Sequence, residues 1–242
     1  MNPTEQRLAE AERRLAELEA EYREFAHIVS HDLGAQLRTI KGFAEMLSDG
    51  NAQRGDEDIH EQLRFIQSGA HQADAMLEAL LLYSRLDSRP ETVAEVDVAG
   101  LIDRVTASLA EQINETDAAI EVAVALPAVR AAPRHLELVF FHLLQNALLY
   151  RADDRTPRIS IGGEDGAEAW QFGIADNGMG VPPHALEKIF KPLRRAVGSA
   201  YPGVGMGLAV AKKVVHRHGG QIGVEAGPGV GSRFYFTLAK CG

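Results

Sequence analysis

Phe172-Gly173-Ile174-Ala175-Asp176-Asn177-Gly178-Met179-Gly180 decides how this chain is read. An apolar strand, FGIA, ends in a carboxylate, and two glycines follow at alternate positions. A carboxylate at a strand end can accept a hydrogen bond from an exocyclic amine. The glycines let backbone approach a flat ring closely. Further along, Gly203-Val204-Gly205-Met206-Gly207-Leu208 opens a helix, where free N–H groups suit phosphate oxygens. Ahead of both stands Asn146 inside a helix, where an amide oxygen can hold Mg2+ while phosphates complete its shell. Each segment alone is equally a hairpin turn, a tight helix start or a solvated helix residue. Their order carries the information: helix Asn, strand with DxGxG, loop, then GxGxGL with a helix.

Around this stretch, strands and helices mix from Arg89-Pro90 onward. Val96 to Val98 reads as a short strand, Gly100 to Ile113 as a helix, Ile120 to Val124 as a strand and Arg134 to Tyr150 as a helix. Arg158 to Gly162 and Ala169 to Ala175 read as strands, and Val204 to His218 as a helix. Gln221 to Glu225 and Arg233 to Leu238 close with a hairpin turning at Gly227-Pro228-Gly229. This mixture predicts a layered α/β sandwich.

Residues 5 to 87 follow a different period. Leu8, Leu15, Tyr22 and Val29 are seven apart, as are Ala11, Leu18 and Phe25, with charges between. Asp49-Gly50-Asn51 and Gly55-Asp56 interrupt the pattern. Ile59, Leu63, Ile66, Ala70, Ala73, Leu77, Leu80 and Ser84 then resume it in steps of four and three. Two long helices joined by a polar loop make a helical hairpin. One hairpin buries too little apolar surface, so two copies are expected to pair as a four-helix bundle in a homodimer. On helical pattern alone, a coiled-coil spacer without chemistry is the favoured reading. The halves meet near residues 88–94.

Composition narrows the function classes. A net charge of -9 argues against nucleic acid as the main partner. No apolar run approaches the roughly 18 residues of a membrane span. Met1 to Tyr22 is charged and has no signal-peptide core. The single cysteine, Cys241, excludes a disulfide scaffold or a cysteine-rich metal site, and a reducing, cytoplasmic setting fits.

Taken together, the motifs resemble the catalytic core of sensor histidine kinases in two-component systems. The second half resembles their ATP-binding domain, of the Bergerat type shared with HSP90 chaperones, DNA gyrase B and MutL. LLQNALLY resembles the N box, ADNGMGVP the G1 box, KIFKPLRR the F box and YPGVGMGLAVAKKVVHRHGGQI the G2 box with its helix. The resemblance implies Asn146 as the Mg2+ ligand, Asp176 as the adenine-reading carboxylate and Tyr150 against the base. It also places Arg151, Gly178, Gly180, Gly203, Gly205, Met206, Gly207 and Leu208 at the nucleotide. Lys191, Arg194 and Arg195 would neutralise phosphates from a lid over Lys191 to Pro202, short as in phytochrome-type kinases; a solvated basic loop is the plainer reading of those three.

FAHIVSHDLGAQLRTIKGFAEML resembles the H box of the dimerisation and phosphotransfer domain. His31 would be the phosphoacceptor and Asp32 the neighbouring acid. With Val29 at heptad position a, His31 falls at c, away from the seam. An exposed imidazole held by a carboxylate is a good nucleophile for in-line attack on a γ-phosphate. The implied architecture is α plus α/β: a signalling coiled-coil helix over 1–24, a dimeric phosphotransfer hairpin over 25–90 and an ATP-binding sandwich over 95–242, with a hinge near Ser88-Arg89-Pro90. The phosphoryl group would pass from His31 to an aspartate on a response-regulator receiver domain, and input would come from an upstream sensor module. Neither partner is in this chain. Handedness of the loop over 48–56 would set transfer within or between protomers.

Several positions depart from the family pattern. Gln36 stands where a helix-bending Pro is usual, and Gly34 where Arg is common; Gly34 costs the helix about 1 kcal/mol relative to Ala. Ala35 replaces a Thr or Asn that orients water, which implies weak phosphatase activity. His142 stands where a second Asn is typical, one turn before Asn146. It is either an alternative proton acceptor or a packed helix residue. Leu149 replaces a phosphate-touching Lys, and Leu193 the second Phe of the F box. These departures motivate a second function, a catalytically weak scaffold or phosphotransferase with a degenerate pocket. Asp176 and the intact glycines argue against it. A plain ATPase is disfavoured, because His142 stands where the hydrolytic ATPases have a water-activating glutamate, one turn before Asn146, and the His31 box is present.

Overall fold

A computed structural model describes residues 26, 28–29, 31–47, 56–88, 91–123, 126–196, 201, 203–227 and 229–240. The predicted coiled coil over 1–24, the loop over 48–55 and the Arg89-Pro90 hinge lie outside the described residues. The chain divides into two compact units, Met1–Ala79 and Leu80–Gly242.

The first unit is a helical hairpin. Helix α1 covers residues 31–47, and helix α2, Asp56–Ser88, begins in this unit and ends in the next. Phe43 stacks on Phe65 with ring centroids 4.6 Å apart. At Gly69 the helices come so close that a Cβ would sit 3.1 Å from Ile40. The apolar pattern of α2 splits here. Ile59, Ile66 and Ala73 are half-buried, whereas Leu63, Ala70 and Leu77 face outward. Among the described residues no helix is long and apolar enough to cross a membrane.

The second unit is a mixed sheet covered by helices. After α2 come β1 (Ala94–Asp97), α3 (Val98–Ser108), α4 (Ala110–Thr116), β2 (Ala119–Val122), β3 (Ala128–Ala131) and α5 (Pro133–Leu149). Strands β4 (Arg158–Asp165) and β5 (Ala169–Asp176), helix α6 (Gly207–Arg217), and strands β6 (Ile222–Gly227) and β7 (Gly231–Ala239) complete it. The five-stranded sheet runs β2-β4-β5-β7-β6. Only β2 and β4 are parallel; the other neighbours are antiparallel.

The core follows from periodicity. Helix α5 starts with Pro133, whose fixed φ suits a first helical position. It buries Leu136, Val139, Phe140, Leu143, Leu144 and Ala147, one face at helical spacing. Phe140 meets Phe172 and Phe236 edge-on, at 5.9 and 5.4 Å, and those two stack as register partners on β5 and β7. Helix α6 buries Val210, Ala211, Val214 and Val215 and packs beside α5.

The structure differs from the sequence reading in places. The helix expected from Gly100 to Ile113 is two helices, broken at Leu109. Before the break, Thr106 and Ser108 donate their hydroxyls back to the carbonyls of Ile102 and Val105, which competes with regular helix bonding. Strand β3 was not anticipated. It is short and pairs antiparallel with β1 in a separate two-stranded sheet. Helix α6 begins at Gly207 and not at Val204, because Gly205 has φ +73.

Candidate functional site

The predicted residues fall into two groups, one in each unit. In the first, His31 Nδ1 lies 2.8 Å from Asp32 Oδ1. Both side chains reach solvent, at 69% and 38% exposure, so the imidazole is accessible as the heptad position suggests. With Nδ1–H donating to the carboxylate, the Nε2 lone pair faces outward. Thr39 donates to the Ala35 carbonyl at 3.1 Å, and the helix continues past Gly34, Ala35 and Gln36.

In the second unit the order of the sheet sets the site. Strand β5 ends at Asp176, between Ile159 of β4 and Ser232 of β7. Asp176 Oδ1 accepts from the Gly178 N–H at 2.8 Å and the Ser232 N–H at 3.2 Å. Both donors converge on Oδ1, which leaves Oδ2 for another donor. Burial raises the Asp176 carboxyl above its usual pKa, against the pull of those two N–H groups.

The glycines of DxGxG serve the protein's own backbone. A Cβ on Gly178 would lie 2.4 Å from the Tyr150 carbonyl oxygen and 2.9 Å from Asp176 Oδ1. Gly180 has φ +74, and its Cβ would lie 1.9 Å from the Gly227 oxygen. Room for a flat ring is thus not what these two positions chiefly provide. The residue between Asp176 and Gly178 also matters. Asn177 accepts from the Arg158 N–H at 2.8 Å and donates to the Thr156 carbonyl at 3.0 Å, tying β5 to the turn before β4.

Helix α5 delivers Asn146 and Tyr150. The Asn146 side chain is half-buried, and Tyr150 caps the helix, its N–H donating to the Asn146 carbonyl at 2.9 Å. The Tyr150 carbonyl accepts from Met179 N–H at 3.0 Å, joining the helix end to the DxGxG turn. Arg151 bends back to the Leu148 carbonyl at 3.2 Å. His142, one turn before Asn146, packs against the start of α6, where a Cβ on Gly207 would lie 3.0 Å from its Nδ1. Its Nε2 is buried without a partner, and burial lowers its pKa to about 4, so the ring is neutral.

The basic segment and the second glycine run are interlocked. Lys191, Arg194 and Arg195 are exposed. Arg195 Nη1 donates to the carbonyls of Tyr201 at 3.2 Å and Gly203 at 3.3 Å. Gly205 packs on Arg194, whose backbone a Cβ would approach to 3.0 Å. Met206 is buried and Leu208 packs on the core. Leu193 is buried too, in a left-handed conformation at φ +58. Sequence reasoning gave no role to Ser232, Asn177 or Tyr201. Ser232 acts through its backbone, which leaves no trace in residue type, whereas Asn177 and Tyr201 stood inside quoted motifs.

Known proteins match along this layout. Residues 131–241 match the family model described as Histidine kinase-, DNA gyrase B-, and HSP90-like ATPase. Residues 21–89 match the His Kinase A (phospho-acceptor) domain. The chain is 35% identical over 232 residues to phytochrome-like protein Cph1 of Synechocystis sp., covering 96% of this chain and 31% of that protein. It is 32% identical over 232 residues to cyanobacterial phytochrome A of Nostoc sp., covering 96% and 30%. The chain therefore spans under a third of the length of these relatives. The structure of histidine kinase ThkA in complex with response regulator protein TrrA shares the fold, with a TM-score of 0.71 at 22% identity over 100% of this chain and 68% of that one. With the phospho-acceptor match over the His31 helix and the ATPase match over the glycine motifs, the chain belongs to the sensor histidine kinases, as their phosphoacceptor and ATP-binding core.

Proposed function

We propose that this core uses ATP to phosphorylate His31 and then passes the phosphoryl group to an aspartate of a response-regulator receiver domain. The observation that carries this reading is the exposed His31 held by Asp32 at 2.8 Å, in a chain that also has an ATP-binding domain. Asp32 keeps the proton on Nδ1 and directs the Nε2 lone pair outward. It then stabilises the positive charge that grows on the ring as Nε2 bonds to phosphorus and ADP leaves. Phosphoryl transfer asks a protein chiefly for positioning and charge neutralisation.

In this reading Asp176 Oδ2 accepts the exocyclic amine of adenine, and Tyr150 lies against the base. Gly203, Gly205 and Gly207 bring backbone N–H groups to the phosphates, with Lys191, Arg194 and Arg195 adding positive charge. Asn146 fits as the protein's ligand to Mg2+. Among the described residues no three His, Cys, Asp or Glu side chains gather to hold a metal. A hard cation held by one amide oxygen and phosphate oxygens suits that donor set. When bound, Mg2+ neutralises phosphate charge. His142, neutral and packed at Gly207, fits a packing role at the phosphate loop better than that of a free base.

Residues 25–90 form the dimerisation and phosphotransfer hairpin in this proposal, and 95–242 the catalytic domain. The outward row Leu63, Ala70 and Leu77 is the apolar face a second copy would cover, giving a homodimer. A cytoplasmic setting fits the single cysteine.

Incubation with γ-labelled ATP and Mg2+ tests the reading. Acid-labile, alkali-stable label is expected on the wild type and lost in His31→Gln and Asn146→Ala. Label that persists in His31→Gln would reject the phosphoacceptor assignment. Nucleotide binding without any label would leave a phosphotransferase or scaffold.

A further inference from the structure

Tyr201 stands between the basic segment and the glycine run that opens α6. Its ring is half-buried, 5.3 Å centroid to centroid from the Tyr150 ring and tilted to it by 53°. One side chain ties the backbone on either side of that contact. Arg195 Nη1 reaches the carbonyls of Tyr201 and Gly203 at once. The same guanidinium lies near the Tyr150 phenol, where its charge opposes the effect of burial. Tyr150 in turn adjoins the carboxylate, since Gly178 is wedged between the Tyr150 carbonyl and Asp176 Oδ1. Asp176 with its uncommitted oxygen, the Tyr150 carbonyl across Gly178, and the paired rings of Tyr150 and Tyr201 are thus linked contact by contact.

A flat heteroaromatic base needs that sequence of groups. Its edge carries the donor that Asp176 would accept, and its faces stack on aromatic rings whatever the edge presents. Two rings stacked on each other would consume the face between them. Rings tilted by 53° leave aromatic surface for a third. We propose that Tyr201 is a further nucleotide-contacting residue, which with Tyr150 forms an aromatic wall for the base, and that Arg195 is the positioning residue that holds Tyr201 there. The inference rests on this site taking ATP. It assigns base contact to a loop residue and gives Arg195 a task besides meeting phosphate.

Titration calorimetry of the full chain with Mg2+ tests this, using ADP and inorganic tripolyphosphate as paired ligands. Tyr201→Ala is expected to weaken ADP binding about tenfold, the scale of one lost base stack, and to leave tripolyphosphate unchanged. Tyr201→Phe keeps the ring and retains ADP binding. Arg195→Lys keeps the charge but loses the planar fork. It should weaken ADP in the wild-type background and add nothing in the Tyr201→Ala background, the signature of acting through that ring. Equal loss of both ligands in Tyr201→Ala, or no loss of either, would overturn the inference. So would a Phe variant as weak as Ala. A wild type that binds tripolyphosphate but no ADP would overturn the ATP reading itself, and this inference with it.

Discussion

His142 carries a proton only in acid. Its ring is buried against Gly207, its Nε2 has no partner, and its pKa falls from 6.5 to about 4. The unfolded chain therefore binds a proton at His142 between those values, where the folded chain does not. Stability from this residue is full above pH 6.5 and is lost as pH falls toward 4, by about 3 kcal/mol in all. His135 and His218, edge to face at 5.7 Å, are lowered by burial as well and act in the same direction. Thermal melts at pH 7.5 and pH 5 should show a drop in Tm for the wild type and a smaller drop for His142→Leu. An equal drop in both would reject His142 as a contributor. The Asp176 carboxyl is shifted upward instead, and its effect is likewise lost in acid. Burial raises its pKa, so ADP affinity should fall on acidification sooner than an ordinary aspartate would predict.

At the scale of elements, turns set the site and glycine identity sets the turns. Gly180 and Gly229 share φ +74, but their surroundings differ. A Cβ at Gly180 would strike the Gly227 carbonyl at 1.9 Å, whereas a Cβ at Gly229 meets nothing within 4 Å. Gly229→Ala should therefore cost about 1 kcal/mol, the backbone strain alone. Gly180→Ala must also push β6 from the DxGxG turn and should cost well over about 2 kcal/mol, with loss of ADP binding. Urea unfolding of the two variants measures the contrast, and equal costs would mean that backbone strain alone matters. DxGxG was legible as a motif. The carbonyls that make its glycines necessary come from α5 and β6, distant in sequence, so that reason was not.

At the scale of the whole molecule, the hairpin leaves apolar surface outward. Leu63 and Leu77 are 42% and 49% exposed, in the row that alternates with half-buried Ile59, Ile66 and Ala73. Burying a leucine is worth about 1.5–3 kcal/mol, and two per protomer lie in this row. Leu63→Glu with Leu77→Glu should weaken a dimer at least about a hundredfold and shift the mass to monomer in sedimentation. ADP binding should be unchanged, since the nucleotide residues lie in the other unit. An unaltered dimer would place the interface elsewhere.

Local chemistry and period made much of this protein legible from its residues. The apolar pattern of α2, the α5 stripe, the strand before Asp176 and the glycine start of α6 all follow from side chains a few positions apart, because burial repeats with the helix or strand. Position c of the heptad was enough to put His31 in solvent. Only the tertiary structure decided which half of the α2 seam is covered within the chain, since both halves share one apolar spacing and differ only in what lies opposite. Only the tertiary structure paired β3 with β1 and put Ser232 beneath Asp176, because strand pairing joins backbones whatever their side chains. It likewise brought Arg195 and Tyr201 to Tyr150, through contacts between segments that no local period relates.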